Sequence, residues 1–239
     1  MNVEEARTSE AGSNRPLRVF EKVLGGGLGV GNIGVLSSRH GTGKVAILTL
    51  IAIDKAMDGH HALHVGLGKS VGDIRAYRDE ILGEVEKSLD IFDRAEMLTR
   101  VERHSRIHTY GKGTFSLERL RQTLTFAQKH ADFSPDLVEI SNWPDFESVT
   151  REDLEGLKTL AKDFEFEVWL TAHTRRTTHH DNRHMPDSLA RIEDLLSVVV
   201  ALEPEDRHVP LRFVKVPSGK PPEGIHLDFD PRTMLLRWR

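Results

Sequence analysis

The segment from Ser38 to Val45 carries the residue types of a phosphate-binding loop. Such a loop follows the pattern G-x-x-x-x-G-K-[ST], in which glycines turn the backbone, the lysine contacts the β- and γ-phosphates and the final hydroxyl holds Mg²⁺. Gly43 and Lys44 occupy their expected positions, and Gly41 adds a second flexible residue. The first glycine of the pattern is replaced by Ser38, and the hydroxyl residue by Val45. These departures predict a loop that binds phosphate and hydrolyses it poorly.

Every position of this loop is a candidate phosphate contact. A buried lysine at a helix start opposes the helix dipole unless an anion sits there, so Lys44 favours binding, and Arg39 adds a second positive charge. A second interpretation stays open: the segment is a strand-to-helix turn that binds nothing, with Arg39 and Lys44 facing solvent or paired with a carboxylate. The candidate residues are Ser38, Arg39, His40, Gly41, Thr42, Gly43, Lys44 and Val45.

The composition and length of the chain indicate the class of protein to which it belongs. The chain has 239 residues, 38% of them hydrophobic and 29% charged, with a net charge of −4. These values fit one soluble α/β domain at residues 17–239, preceded by a polar, flexible tail at residues 1–16. The absence of cysteine excludes disulfides and cysteine-ligated zinc. The longest apolar run, Val45 to Ile53, is too short to span a bilayer, so we expect a cytoplasmic protein without a membrane partner.

Short apolar runs alternate with longer amphipathic ones, which is typical of a mostly parallel sheet flanked by crossover helices. Four further short strands near the C-terminus predict antiparallel structure added to that sheet. The predicted parallel strands are Ile33–Leu36, Ala62–Leu67, Arg106–Tyr110, Asp136–Ile140 and Glu167–Thr171. The predicted helices are Lys44–Met57, Ile74–Leu89, Ile91–Val101, one from Ser116 to His130, one from Thr150 to Asp163, and a short one at Asp187–Leu195. The C-terminal strands are Ser197–Leu202, Leu211–Val216, Ile225–Phe229 and Met234–Trp238.

The order of these elements resembles the RecA-like ATPases, in particular the KaiC, RadA and DnaB branch. Residues 24–33 are similar to the glycine-rich turn that opens those proteins, and residues 134–138 to the approach to their Walker B strand. Residues 211–215 and 227–230 are similar to their closing hairpins. The resemblance covers residues 17–239. It implies a RecA-like fold, ATP or ADP as the ligand, and assembly with copies of the chain or with a related RecA-like subunit.

The resemblance also implies which hydrolytic groups are missing. The family carries a Mg²⁺-orienting Asp at the end of the Walker B strand, where this chain has Ser141 and Asn142. Glu139 and Asp145 are the candidate replacements. The family's water-activating Glu is replaced by Lys69, whose charge is opposite. With Val45 in place of the hydroxyl residue, three parts of the hydrolytic machinery are absent, and no metal site is predicted.

Two further roles follow from the resemblance. Lys215 matches the lysine of a pair that reaches the γ-phosphate from a neighbouring subunit, although the paired arginine is lost. His173 stands where the family keeps a γ-phosphate sensor. The loop after it is basic, and Arg175, Arg176 and Arg183 are candidate DNA contacts; a solvated surface loop is the alternative. No aromatic residue of that loop offers base stacking.

The sequence therefore predicts a catalytically impaired RecA/KaiC-like protein that binds nucleotide phosphate and has a regulatory or scaffolding role through assembly. Two alternatives remain. One is an active Mg²⁺-dependent ATPase in DNA recombination, repair or signalling, with rearranged metal ligands. The other is a protein-interaction module whose pocket is empty.

Overall fold

A computed structural model describes residues 24, 27–89, 94–175, 178, 179, 181, 184–205, 208–219 and 226–238. The predicted tail at residues 1–16 lies outside them. The chain forms an α/β fold around one nine-stranded sheet with the order β3-β2-β4-β5-β1-β6-β7-β8-β9. The strands are β1 Ile33–Ser38, β2 Ala62–Leu67, β3 Ser105–Tyr110, β4 Leu137–Ile140, β5 Glu167–His173, β6 Val198–Leu202, β7 Val209–Lys215, β8 Leu227–Asp230 and β9 Leu235–Trp238.

Helices connect and cover the strands. Side chains cap two of them: the Ser116 hydroxyl accepts a hydrogen bond from the Arg119 amide, and Thr150 forms a capping box with Asp153. The helices are α1 Lys44–Met57, α2 Val71–Leu89, α3 Arg94–His104, α4 Leu117–Ala131, α5 Arg151–Asp163 and α6 Asp187–Ala190, followed by a 3₁₀ turn at Glu193–Leu195. None of the helices in the described part of the chain is long and apolar enough to cross a membrane.

The sheet separates two hydrophobic layers. Strands β1 to β6 pair in parallel. Consecutive side chains along each strand point to alternate faces of the sheet. Leu36 belongs to the layer beneath α1, whereas Val35 belongs to the opposite layer beneath α4 and α5. Because parallel strands end at the same edge, the segments that follow β1, β2, β4 and β5 meet there. Ligands in open α/β sheets bind in the crevice outside this carboxyl edge.

The C-terminal strands extend the sheet in antiparallel pairs, as the sequence predicts. Strand β6 pairs with β7, β7 with β8 and β8 with β9, with a bulge at Val199 and Val200. One short helix was expected at Asp187–Leu195, and the structure corrects it. The helix stops at Ala190 because Ile192 leaves helical geometry, with φ −127° and ψ 17°, before the 3₁₀ turn.

Candidate functional site

The phosphate loop, defined as Ser38 to Val45, joins the central strand β1 to α1. Helix α1 begins at Lys44, as predicted, and Gly43 precedes it in the left-handed region with φ 99°. Gly41 is also left-handed, with φ 75°. Residues with a Cβ rarely adopt these angles, so the two glycines allow the tight turn that places Lys44 at the start of the helix.

The side chain of Lys44 turns back into the loop. Its Nζ donates hydrogen bonds to the carbonyl oxygen of Ser38 at 2.8 Å, the hydroxyl of Ser38 at 3.0 Å and the carbonyl oxygen of Arg39 at 2.7 Å. Thr42 Oγ1 donates to the same Arg39 carbonyl at 2.7 Å and contacts the Ser38 hydroxyl. The ammonium therefore draws the two ends of the loop together.

The charge of Lys44 has no carboxylate partner among the described residues. The side chain is 4% exposed and its hydrogen-bond acceptors are neutral oxygens. Burial lowers the pKa of Lys44 from 10.5 to about 8, because removal from water disfavours the charged form. A buried cation without a counter-charge at a helix start is the setting in which an anion binds favourably.

Two histidines lie beside this lysine. The His40 ring stacks on the His173 ring, with centroids 3.8 Å apart and planes 18° from parallel. Burial is the main cause that lowers the pKa of His173 to about 4, and the charges of Lys44 and His40 lower it further while Asp145 opposes them. His173 Nδ1 is buried without a hydrogen-bond partner among the described residues. The structure thus brings His40, Lys44, His173 and Asp145 to one place.

Phe229 closes the other side of the loop. This residue of β8 is 2% exposed, and a Cβ added to Gly43 would overlap its ring. The sequence pattern does not reveal this contact, because 186 residues separate the two positions. Phe229 is therefore a packing support of the loop, and its buried ring offers no free face to a ligand.

Val45, Asn142 and Lys69 stand where a hydrolytic site would carry its metal-binding and water-activating groups, and Glu139 and Asp145 are the candidate replacements. Val45 is half-buried in the first turn of α1, and Lys69 is exposed after β2. Asn142 follows β4, and its backbone N–H donates a hydrogen bond to Thr171 Oγ1 at 3.3 Å. Glu139 is 1% exposed in the middle of β4 and contacts His64 Nδ1, so it does not lie at the carboxyl edge. Asp145 is exposed and accepts a hydrogen bond from the Glu147 amide at 3.1 Å.

The other predicted site residues lie apart or outside the description. Lys215 Nζ donates to the Glu193 carbonyl at 2.6 Å, away from the phosphate loop of its own chain. Arg175 is exposed, with its backbone amide donating to Thr178 Oγ1 at 2.7 Å. Arg176 and Arg183 lie outside the described residues.

Glu167 supports the segment before β1, a role that the sequence did not predict. Glu167, at the start of β5, is 6% exposed and accepts hydrogen bonds from the Leu28 and Gly29 amides, each at 3.0 Å. Lys55 Nζ lies 3.5 Å from the same carboxylate. Glu167 thus anchors the glycine-rich turn before β1. An acidic residue opening a buried strand is the signal that could have indicated such a partner.

No family model matches this chain, and neither does any curated protein. Within the described residues there is also no group of three or more His, Asp or Glu side chains arranged to hold a metal ion.

Proposed function

We propose that the loop Ser38–Val45 binds the phosphate groups of ATP or ADP and that the protein is a catalytically impaired, RecA/KaiC-like regulatory or scaffolding subunit. It acts by assembling with further copies of itself or with a related subunit. Nucleotide phosphates bind against the N-terminus of α1, where the backbone N–H groups of a helix start attract anions.

The unneutralised charge of Lys44 carries this proposal. Within the described residues its three hydrogen bonds all go to neutral loop oxygens, and Lys44 is almost fully buried. A phosphate replaces those carbonyl and hydroxyl contacts with a charge-assisted interaction, which is roughly twice as strong as a neutral hydrogen bond.

The architecture supports the RecA-like part of the proposal. The mostly parallel sheet places β1 centrally, and the antiparallel strands lie at the C-terminal end of the chain, as the resemblance implies. A fold alone does not fix a function, so the proposal depends on the loop.

Impaired hydrolysis follows from what surrounds the loop. Phosphoryl transfer depends on a metal ion that bridges the β- and γ-oxygens and on a positioned nucleophile. Val45 has no hydroxyl for the metal, Asn142 has no carboxylate, and Lys69 has the wrong charge to activate water. We therefore expect nucleotide binding that does not require Mg²⁺.

One observation favours the alternative of an active ATPase. The charge of Asp145 raises the pKa of His173, whose ring stacks on His40 of the loop, so the Asp145 carboxylate is the candidate metal ligand of that alternative. The two proposals predict a different dependence of nucleotide binding on Mg²⁺, so an experiment with and without Mg²⁺ distinguishes them.

The test is a thermal-shift titration with ATP and ADP, in Mg²⁺ and in EDTA. Lys44→Met keeps the apolar bulk of the side chain and removes its charge. Lys129→Met is the matched control, because Lys129 is exposed on α4. We expect stabilisation in both buffers that Lys44→Met abolishes and Lys129→Met preserves. Stabilisation only in Mg²⁺, lost in Asp145→Asn, supports the active ATPase; no stabilisation overturns both.

Assembly is tested separately by light scattering over a range of protein concentrations, with and without ATP. A mass that rises with concentration supports the scaffolding role. A constant monomer mass in both conditions contradicts it and favours the interaction module with an empty pocket.

A further inference from the structure

A crevice of about 360 Å³, open to solvent, lies beside the phosphate loop. Its walls come from the ends of β1, β5 and β6 and from the segment around Pro186. Ser37 lines it, and Ser37 alternates along β1 with Leu36, which faces α1. Ser38, the next residue of β1, lines it as well, so residues of both sheet faces border the crevice at the carboxyl edge. Its volume is in the range of sites for small molecules, roughly 300–1,000 Å³.

Two arginines, Arg39 and Arg175, line the crevice. Ser38 pairs with His173 at the ends of β1 and β5, and the Thr174 amide donates to the Ser38 carbonyl at 3.0 Å. Arg39 and Arg175 thus follow two paired strand ends, and both residues line the crevice. Neither guanidinium has a hydrogen bond or a carboxylate partner in the described part of the chain. Two adjacent cations of this kind attract an anion.

The acidic residue of the crevice does not neutralise them. Glu203 also lines it, but Arg212 holds both of its carboxylate oxygens, through Nε and Nη2, each at 2.9 Å. His184 Nδ1 lies 3.6 Å from Glu203 as well. Because the Glu203 charge is already matched by Arg212, the described lining of the crevice keeps a net positive charge.

We propose that this crevice is a second anion site that binds the phosphate group of a small phosphorylated molecule, separately from the nucleotide phosphates held by Lys44. The planar guanidinium of arginine matches the oxygens of a phosphate in a bidentate arrangement. No Phe, Tyr or Trp side chain of the described residues lines the crevice, so it lacks the stacking platforms of single-stranded nucleic-acid sites. Ser38 and Arg39 border both the loop and the crevice, whereas Arg175 lines the crevice and Lys44 does not, so substitutions of Arg175 and Lys44 distinguish the two sites.

Calorimetric titration with inorganic pyrophosphate tests the assignment. The wild-type chain is expected to bind at two sites. Arg175→Ala removes the crevice site or weakens it at least about tenfold, as expected for the loss of a charge-assisted contact, and leaves the loop site. Lys44→Met removes the loop site and leaves the crevice site. Arg103→Ala is the matched control, because Arg103 is an exposed arginine of α3.

The outcomes separate the two sites. Binding that is lost in Arg175→Ala and unchanged in Lys44→Met supports the crevice and contradicts the nucleotide proposal. Binding unaffected by Arg175→Ala, equally reduced by Arg103→Ala, or absent from the wild type overturns the crevice site. A competition titration then compares a single-stranded oligonucleotide with ADP-ribose as displacers of pyrophosphate. A higher affinity of the oligonucleotide overturns the assignment to a small molecule.

Discussion

The imidazole of His40 stacks on that of His173, with the ring centroids 3.8 Å apart. This contact joins the tip of the phosphate loop to the end of β5, and it lies beside the buried ammonium of Lys44. Protonation of either ring adds a positive charge next to that ammonium. The charge of Lys44 is one of the causes that lower the pKa of His173.

The first prediction concerns acid stability. The pKa of His173 falls from 6.5 to about 4 on folding, so the unfolded chain binds more protons between these values. Stability is thus complete above pH 6.5 and decreases as the pH falls toward 4, by roughly 1–3 kcal/mol from this residue. Urea unfolding across this range should show a smaller decrease in His173→Asn.

His130→Asn is the control for that measurement, because His130 is exposed on α4. An unchanged pH dependence in His173→Asn would show that His173 is not the responsible group.

The second prediction concerns the proton balance of ligand binding. The pKa of Lys44 is lowered to about 8 in the folded chain, so much of the amine is neutral at pH 8.5. A bound phosphate favours the ammonium and raises this pKa, so ATP binding takes up roughly half a proton or more at pH 8.5. Calorimetry in buffers of different ionisation enthalpy measures the uptake. Binding heats that are independent of the buffer at pH 8.5 would contradict contact between Lys44 and phosphate.

The third prediction concerns Gly43. Gly43→Ala meets both a positive φ and the Phe229 ring, whereas Gly41→Ala meets a positive φ in open space. We expect a loss of about 3 kcal/mol for Gly43→Ala and about 1 kcal/mol for Gly41→Ala. Chemical denaturation measures both values. In a Phe229→Leu background the difference should shrink, and an unchanged difference would rule out the ring as its cause.

The fourth prediction concerns Glu167. Glu167→Gln weakens the acceptor of the Leu28 and Gly29 amides and removes the carboxylate charge that lies 3.5 Å from Lys55 Nζ. We expect a loss of roughly 1–3 kcal/mol of unfolding free energy. Glu165→Gln, at an exposed neighbouring position, should change stability by less than about 0.5 kcal/mol. Equal effects of the two substitutions would refute the anchoring role of Glu167.

Much of the fold could be predicted because its signals are local. The bounds of α1 and β2 match the prediction, since apolar periodicity and the flanking glycines mark them. The capping box of Thr150 and Asp153 needs only a spacing of three residues. The region Asp187–Leu195 was predicted less well. There Arg191 donates to the carbonyls of Phe146 and Val149, so a distant loop, rather than local propensity, fixes the backbone.

The site could be predicted only in its residue types. The spacing of Gly43 and Lys44 indicates a phosphate loop, but it does not tell that Lys44 folds back onto the Ser38 and Arg39 carbonyls. The Phe229 contact depends on strands paired far apart in sequence, as does the position of His173. Such contacts follow from the sheet order, which no local pattern encodes.

A crystal structure with a non-hydrolysable ATP analogue and Mn²⁺ tests the central claim most directly, because the metal can be located by its anomalous scattering. Our account predicts a triphosphate against residues 41–45, with Lys44 Nζ moved from the Ser38 and Arg39 carbonyls to the phosphate oxygens and no metal held by a protein carboxylate. A metal bridging the triphosphate to Asp145 or Glu139, or an unoccupied loop with Lys44 unmoved, would contradict it.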